Sequence, residues 1–188
     1  MTGPLFRLLE KRTGSTEAAL SAITNVASLL GTPGVVSMDE PLAGVALCAQ
    51  GEEIEKVSNH LSWRDFERFC SSLLRARGYT VKENVMLKQP RAQIDLIAFS
   101  CGFTLAIDCK HWTRSAGYSG LVRVVEAQKR RARRLRSSAD GLDPVASVVL
   151  TLVDSGARFV AGGAVVPIFA LGDFLDNLDV YAERLDLA

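Results

Sequence analysis

The 188-residue sequence contains only four cysteines and two histidines. Cys48, Cys70, Cys101 and Cys109 form no Cys-x-x-Cys pair and stand among apolar neighbours. That excludes a zinc knuckle and a disulfide framework, and it suits free thiols in a reducing cytoplasm. His60 and His111 make no His-Glu-x-x-His, and the chain has no Gly-x-x-x-x-Gly-Lys loop and no Gly-x-Ser-x-Gly elbow. Zinc proteases, P-loop nucleotide hydrolases and α/β-hydrolases therefore drop out. Long apolar runs are missing too: the stretch 42–49 is far too short to span a bilayer, and the N-terminus lacks the basic-then-apolar order of a signal peptide. Neither a membrane segment nor export is expected, and no internal repeat or low-complexity tract is found.

What is present is 48% hydrophobic residues, enough for a sizeable core. The expected organisation is a mainly helical extension over 1–60, of unknown role, followed by one domain over 61–188. A net charge of +1 hides segregation: residues 105–140 hold nine basic and three acidic side chains, whereas 141–188 hold two and seven. A basic block of that kind is the footprint of a phosphate-binding surface, though it also suits a solvated helix face. The acidic tail is expected to face away from it.

The chemistry concentrates in residues 93–110, QIDLIAFSCGFTLAIDCK. Both halves alternate, and a tight turn at Cys101-Gly102 predicts a hairpin whose partners have numbers summing to 203. Asp95 then lies opposite Asp108, and Asp108 shares a face with Lys110. Two carboxylates facing each other with Cβ atoms roughly 5 Å apart repel unless a cation sits between them. A divalent metal meets that need, and Lys110 stands where it can orient a water or steady a charged transition state.

The surrounding chain supplies the frame. Helices are expected over 18–30, closed by Gly31 to Gly34, and over 52–60, with short strands at Val35-Val36 and 44–47. Ser62 and Asp65 form a weak capping box opening a helix that runs to Arg77 and stops at Gly78. Trp63, Phe66, Phe69, Cys70, Leu73 and Leu74 make its apolar arc, and Glu67 lies at the margin, either in a cleft or paired with Arg64. A strand over 79–87 places Val81, Val85 and Leu87 on one side. After the hairpin, Arg114 lies in a polar loop, in reach of a phosphate or simply solvated. A helix over 119–138 buries Leu121, Val124, Val125 and Leu135, with Gln128 beside that stripe and Lys129, Arg130, Arg131, Arg133 and Arg134 on its other faces. Residues 145–153 read as a doubly buried strand, followed by strands over 158–160 and 164–168 and a closing helix over 172–178.

In order this gives helix, three strands, helix, strand. With Phe66-Glu67, Gly78-Tyr79, Ile94 to Ala98, Asp108-Cys109-Lys110 and Gln128 on those elements, the chain resembles the PD-(D/E)xK nuclease superfamily. The likeness is to Mrr-like restriction endonucleases and archaeal Holliday-junction resolvases. It covers residues 61–153 and implies an α/β fold, a restriction-endonuclease-like three-layer α/β/α core with a mixed central sheet (αβββαβ). The literal Pro-Asp pair is absent, since Pro90 precedes Asp95 by five positions, and the middle acid is Asp instead of Glu. The resemblance implies Asp95, Asp108 and the Cys109 carbonyl as ligands of Mg²⁺ or Mn²⁺, with Glu67 completing the acidic cluster. It implies Lys110 on the attacking water and Gln128 holding the cleft, with DNA as partner and a homodimer as a possible assembly. Arg114, Lys129, Arg130, Arg133 and Arg134 are the expected phosphate contacts. Three activities follow as expectations: a metal-dependent restriction-type endonuclease, a junction-specific nuclease, or a DNA-binding protein that keeps the fold without cutting.

Overall fold

The computed structural model describes residues 3–30, 39–88, 90–100, 102–138 and 141–188. The chain divides into two compact units, Met1–Arg77 and Gly78–Ala188.

The first unit is helical: α1 (Pro4–Thr13), α2 (Thr16–Leu29), α3 (Glu40–Ala49), α4 (Ile54–Asn59) and α5 (Trp63–Ala76). Helix α3 is its hub. Asp39 caps it by accepting from Leu42 N at 3.1 Å, and the Glu40 carboxylate accepts the N–H groups of Leu5 and Phe6 at the start of α1. The strand expected over 44–47 is thus helix. An apolar run of that length fits either state, and the Asp39 cap with Pro41 in the first turn selects the helix. Gly44 makes the packing possible, because a Cβ there would lie 2.9 Å from Val57 Cγ1 and 3.2 Å from Phe69 Cε2. The expected turn over 31–34 and strand at 35–36 lie outside the described residues.

Helix α5 starts as the capping box requires, with Ser62 Oγ accepting from Asp65 N at 3.2 Å, and ends before Gly78 at φ +84°. Phe66, Phe69, Cys70 and Leu74 are buried. Trp63, expected on that arc, is 58% exposed and carries the Arg64 guanidinium over its ring. Because α5 packs on α3, it groups with the N-terminal helices, and the compact units divide after Arg77.

The second unit is α/β. Its strands are β1 (Thr80–Leu87), β2 (Ala92–Phe99), β3 (Thr104–Lys110), β4 (Val145–Thr151), β5 (Phe159–Val160) and β6 (Gly163–Pro167). Its helices are α6 (Tyr118–Ser138), α7 (Leu171–Asp176) and α8 (Leu178–Ala182). The six-stranded mixed sheet has the order β1-β2-β3-β4-β6-β5. β1, β2 and β3 are antiparallel, β3, β4 and β6 run parallel, and α6 is the crossover from β3 to β4. The β2–β3 pairs, Leu96↔Ile107 through Phe99↔Thr104, sum to 203, and Ser100 N donates to Phe103 O at 3.1 Å across the turn. Cys101 itself lies outside the described residues.

One irregularity breaks the expected alternation. Ala92, Ile94, Ile97 and Phe99 all join the cluster under α6, with Val85, Leu87, Ala132 and Leu135. An odd interval separates 94 from 97, so β2 changes phase at Asp95. Opposite Asp95 stands Asn84, at φ +52° in the middle of β1, between the pairs Glu83↔Leu96 and Val85↔Ile94. Val81 therefore does not share a side with Val85 and Leu87.

The acidic tail does not face away from the basic helix. Ala188 exchanges both backbone hydrogen bonds with Val145, which brings Asp186 to Lys129 on α6 at 2.7 Å. No helix among the described residues is long and apolar enough to cross a membrane.

Candidate active site

β3 carries Asp108 and Lys110 to the end of the ladder, beneath α6. Asp108 is 3% exposed. Its Oδ1 accepts from Arg131 Nη1 at 3.1 Å, and its Oδ2 lies 2.8 Å from Lys110 Nζ. That second contact is an ion pair without a directed hydrogen bond, which leaves Oδ2 a buried acceptor with an unfilled site. Paired residues of β2 and β3 stop at Leu96↔Ile107, and one step further Asp95 Oδ2 accepts the Cys109 N–H at 2.8 Å. The Asp95 carboxylate is thus tied to the residue that follows Asp108 on β3.

Electrostatics agree. Burial pushes the Asp95 carboxyl above the usual carboxylate range, the Cys109 N–H pulls it back, and the charge on Asp108 pushes it up again. Lys110 and Arg131 oppose that rise. Asp95 and Asp108 offer oxygen to a hard divalent cation, and the unfilled Asp108 Oδ2 fits a ligand to one. Among the described residues no group of three or more His, Cys, Asp or Glu side chains gathers as a metal cluster.

Gln128 is fully buried on α6. Its Oε1 accepts from Arg131 Nη1 at 3.0 Å, and its Nε2 has no partner. Arg131, unassigned in the sequence reading, thus joins Gln128 to Asp108. The signal for it was spacing: an arginine three residues after the glutamine lies on the same helical flank. Asp108, Lys110 and Arg131 open into a cleft of about 380 Å³ whose other walls include Trp112, Arg123 and Ala127.

The remaining expected residues fare unequally. Arg114, Arg130 and Arg133 are exposed. Lys129 is not: at 6% exposure its ammonium reaches Asp186, Glu126 and the Ala161 carbonyl, so it secures the tail and is no surface contact. Arg134 is half-buried and donates to the Lys88 and Pro90 carbonyls, which ties down the β1–β2 connection. Cys109 is buried in the ladder opposite Leu150. Glu67 is half-buried on α5 and belongs to the first unit.

Comparison with known proteins bears on the same stretch. The restriction endonuclease family model of the Mrr catalytic domain matches residues 58–138, which include Glu67, Asp95, Asp108, Lys110 and Gln128. An uncharacterized protein of Archaeoglobus fulgidus is 32% identical over 123 residues, 64% of this chain and 95% of its own length. No solved structure matches. The paired aspartates with their lysine, on a mixed sheet and inside the matched stretch, leave one assignment: the chain belongs to the restriction endonuclease family of the Mrr catalytic domain, within the restriction-endonuclease-like PD-(D/E)xK superfamily.

Proposed function

We propose that the protein is a metal-dependent endonuclease that hydrolyses phosphodiester bonds of DNA, of the Mrr-like restriction type. The observation that carries this reading is Asp108 beside Lys110 at the end of β3, its buried Oδ2 without a directed hydrogen bond, next to the Asp95 carboxylate that accepts the Cys109 N–H. Asp95 and Asp108 would hold Mg²⁺ or Mn²⁺, with the Cys109 carbonyl as a further oxygen. The bound ion supplies two things: a water made nucleophilic near neutral pH, and positive charge at the phosphate. Lys110, held 2.8 Å from Asp108, orients the attacking water and takes part in moving its proton. Gln128 fixes the guanidinium of Arg131 beside these groups. Arg114, Arg130 and Arg133 meet the phosphate backbone without reading bases, so binding falls steeply with salt. Cutting both strands at one locus calls for two copies related by symmetry.

The test is incubation with supercoiled plasmid and with a four-way junction, in Mg²⁺ or EDTA. Plasmid cleavage that needs the metal, and is lost in Asp108→Ala while DNA binding persists, is the expected result. Selective cutting of the junction would replace the restriction type with a structure-specific one. Binding without cutting in any divalent metal would overturn the enzymatic reading.

A further inference from the structure

Both oxygens of Asp108 already face a side-chain cation. Lys110 Nζ lies 2.8 Å from Oδ2 and Arg131 Nη1 3.1 Å from Oδ1. The lysine belongs to the motif on its own strand, whereas the arginine comes from α6 and is steered there by Gln128 Oε1 at 3.0 Å. Gln128 is fully buried, so it cannot move aside without disturbing the α6 packing, while Arg131 is half-buried and lines the 380 Å³ cleft with Lys110 and Arg123. A guanidinium in that position has two anionic partners within reach of one side-chain rotation: the carboxylate beneath it and any phosphate entering the cleft.

We propose that Arg131 is a built-in rival of the divalent metal for Asp108: its guanidinium holds the carboxylate until the ion takes it, and then swings onto the substrate phosphate. The inference rests on the nuclease reading above and adds a regulatory role for a residue outside the motif. The physics is simple charge competition. A divalent ion at Asp108 meets a fixed positive charge a few ångströms away, so metal affinity is held down while Arg131 points at the carboxylate. A phosphate in the cleft gives the guanidinium a bidentate partner elsewhere and removes that penalty, so metal and DNA help each other bind. The site then fills with metal mainly when substrate is present.

The consequence is a split in sign that a merely structural arginine would not produce. Mn²⁺ binding is read by electron paramagnetic resonance at low ionic strength, and DNA binding by fluorescence anisotropy in Ca²⁺. In Arg131→Ala the affinity for Mn²⁺ without DNA should rise, roughly three- to tenfold for removing one cation near a divalent ion. The affinity for DNA should fall by a factor of about three or more. Arg131→Lys, which keeps the charge, should bind Mn²⁺ like the wild type. Arg131→Gln provides the same reading as Arg131→Ala should the alanine variant fold poorly. Mn²⁺ affinity that stays level or falls in both neutral variants, with Asp108→Ala still abolishing uptake, overturns the inference and leaves the nuclease reading standing. Wild-type protein with no Asp108-dependent Mn²⁺ site would overturn both.

Discussion

Asp95→Asn should stabilise the folded protein while abolishing cleavage. Asp95 is partly buried, and its carboxylate accepts the N–H of Cys109, the residue after Asp108. Two unit charges about 5 Å apart repel by about 3 kcal/mol at an effective dielectric of 20. Lys110 and Arg131 oppose that repulsion, and solvent screens part of every contribution. Burial tips the balance against the charged form, as the raised Asp95 pKa indicates. Asparagine keeps an oxygen that accepts the Cys109 N–H and carries no charge. The net gain at pH 7 should be on the order of 1 kcal/mol, which moves the melting temperature of a chain this long by about 2–4 °C. The sign reverses the usual carboxylate case. A folded-state pKa above the ordinary 3.8 means that Asp95 favours the fold while protonated, and that this contribution is lost as pH rises through the folded-state value. The advantage of Asp95→Asn should therefore vanish below the ordinary 3.8 and be complete once pH has risen past the folded-state value. Thermal unfolding by scanning fluorimetry in EDTA across that range measures it. Adding 10 mM Mg²⁺ should then stabilise the wild type, by about 1.4 kcal/mol for a dissociation constant near 1 mM, and leave Asp95→Asn unmoved. A variant less stable than wild type at pH 7 in EDTA, or a difference that ignores pH, would refute the reasoning.

Substitutions at four further positions probe the frame and the surface. Asn84→Gly should fold and cleave like the wild type, because glycine accepts φ +52°, whereas Asn84→Val should lose about 1–2 kcal/mol and most of its kcat as Asp95 shifts; urea unfolding and plasmid nicking read the two. Lys129→Met should lower stability by about 2 kcal/mol, since the Ala161 carbonyl loses a charged donor, yet leave the salt dependence of DNA binding unchanged. Arg130→Ala should do the opposite, reducing the slope of log affinity against log salt by about 0.9 with no change in melting temperature. Gly44→Ala should destabilise the helical unit by about 1–3 kcal/mol through its contacts with Val57 and Phe69, seen as an earlier loss of helical ellipticity on heating.

The hairpin was legible because a period of two, a glycine turn and apolar flanks leave one register, the one that pairs Leu96 with Ile107 and Phe99 with Thr104. The same holds for α5, whose cap and terminal glycine are local, and for β4, whose unbroken apolar run admits burial on both faces. The phase change at Asp95 was not legible. A left-handed asparagine in mid-strand leaves no mark on the apolar pattern, and Asn84 is an exposed polar residue like Lys82 and Glu83 before it.

The basic helix shows the limit most clearly. Periodicity identifies its inward stripe of Leu121, Val125, Gln128, Ala132 and Leu135, and from there the cations can be placed by angle. Lys129 lies about 100° round from Gln128 on one flank, and Arg131 about 60° round on the other. Both are too close to the stripe to be free in solvent, so each must reach whatever borders the helix on its side. On Lys129's side that is Asp186, 57 residues away in the chain; on Arg131's side it is Asp108, 23 residues back. Nothing local distinguishes the two. A basic run on a helix that crosses a sheet thus divides by flank, one edge securing the fold and the other entering the cleft, with only the outermost arginines left to meet a polyanion. Counting the whole run as one binding surface overstates it, and the residue that counting assigned to DNA, Lys129, proved structural, while the one it passed over, Arg131, touches the candidate metal ligand.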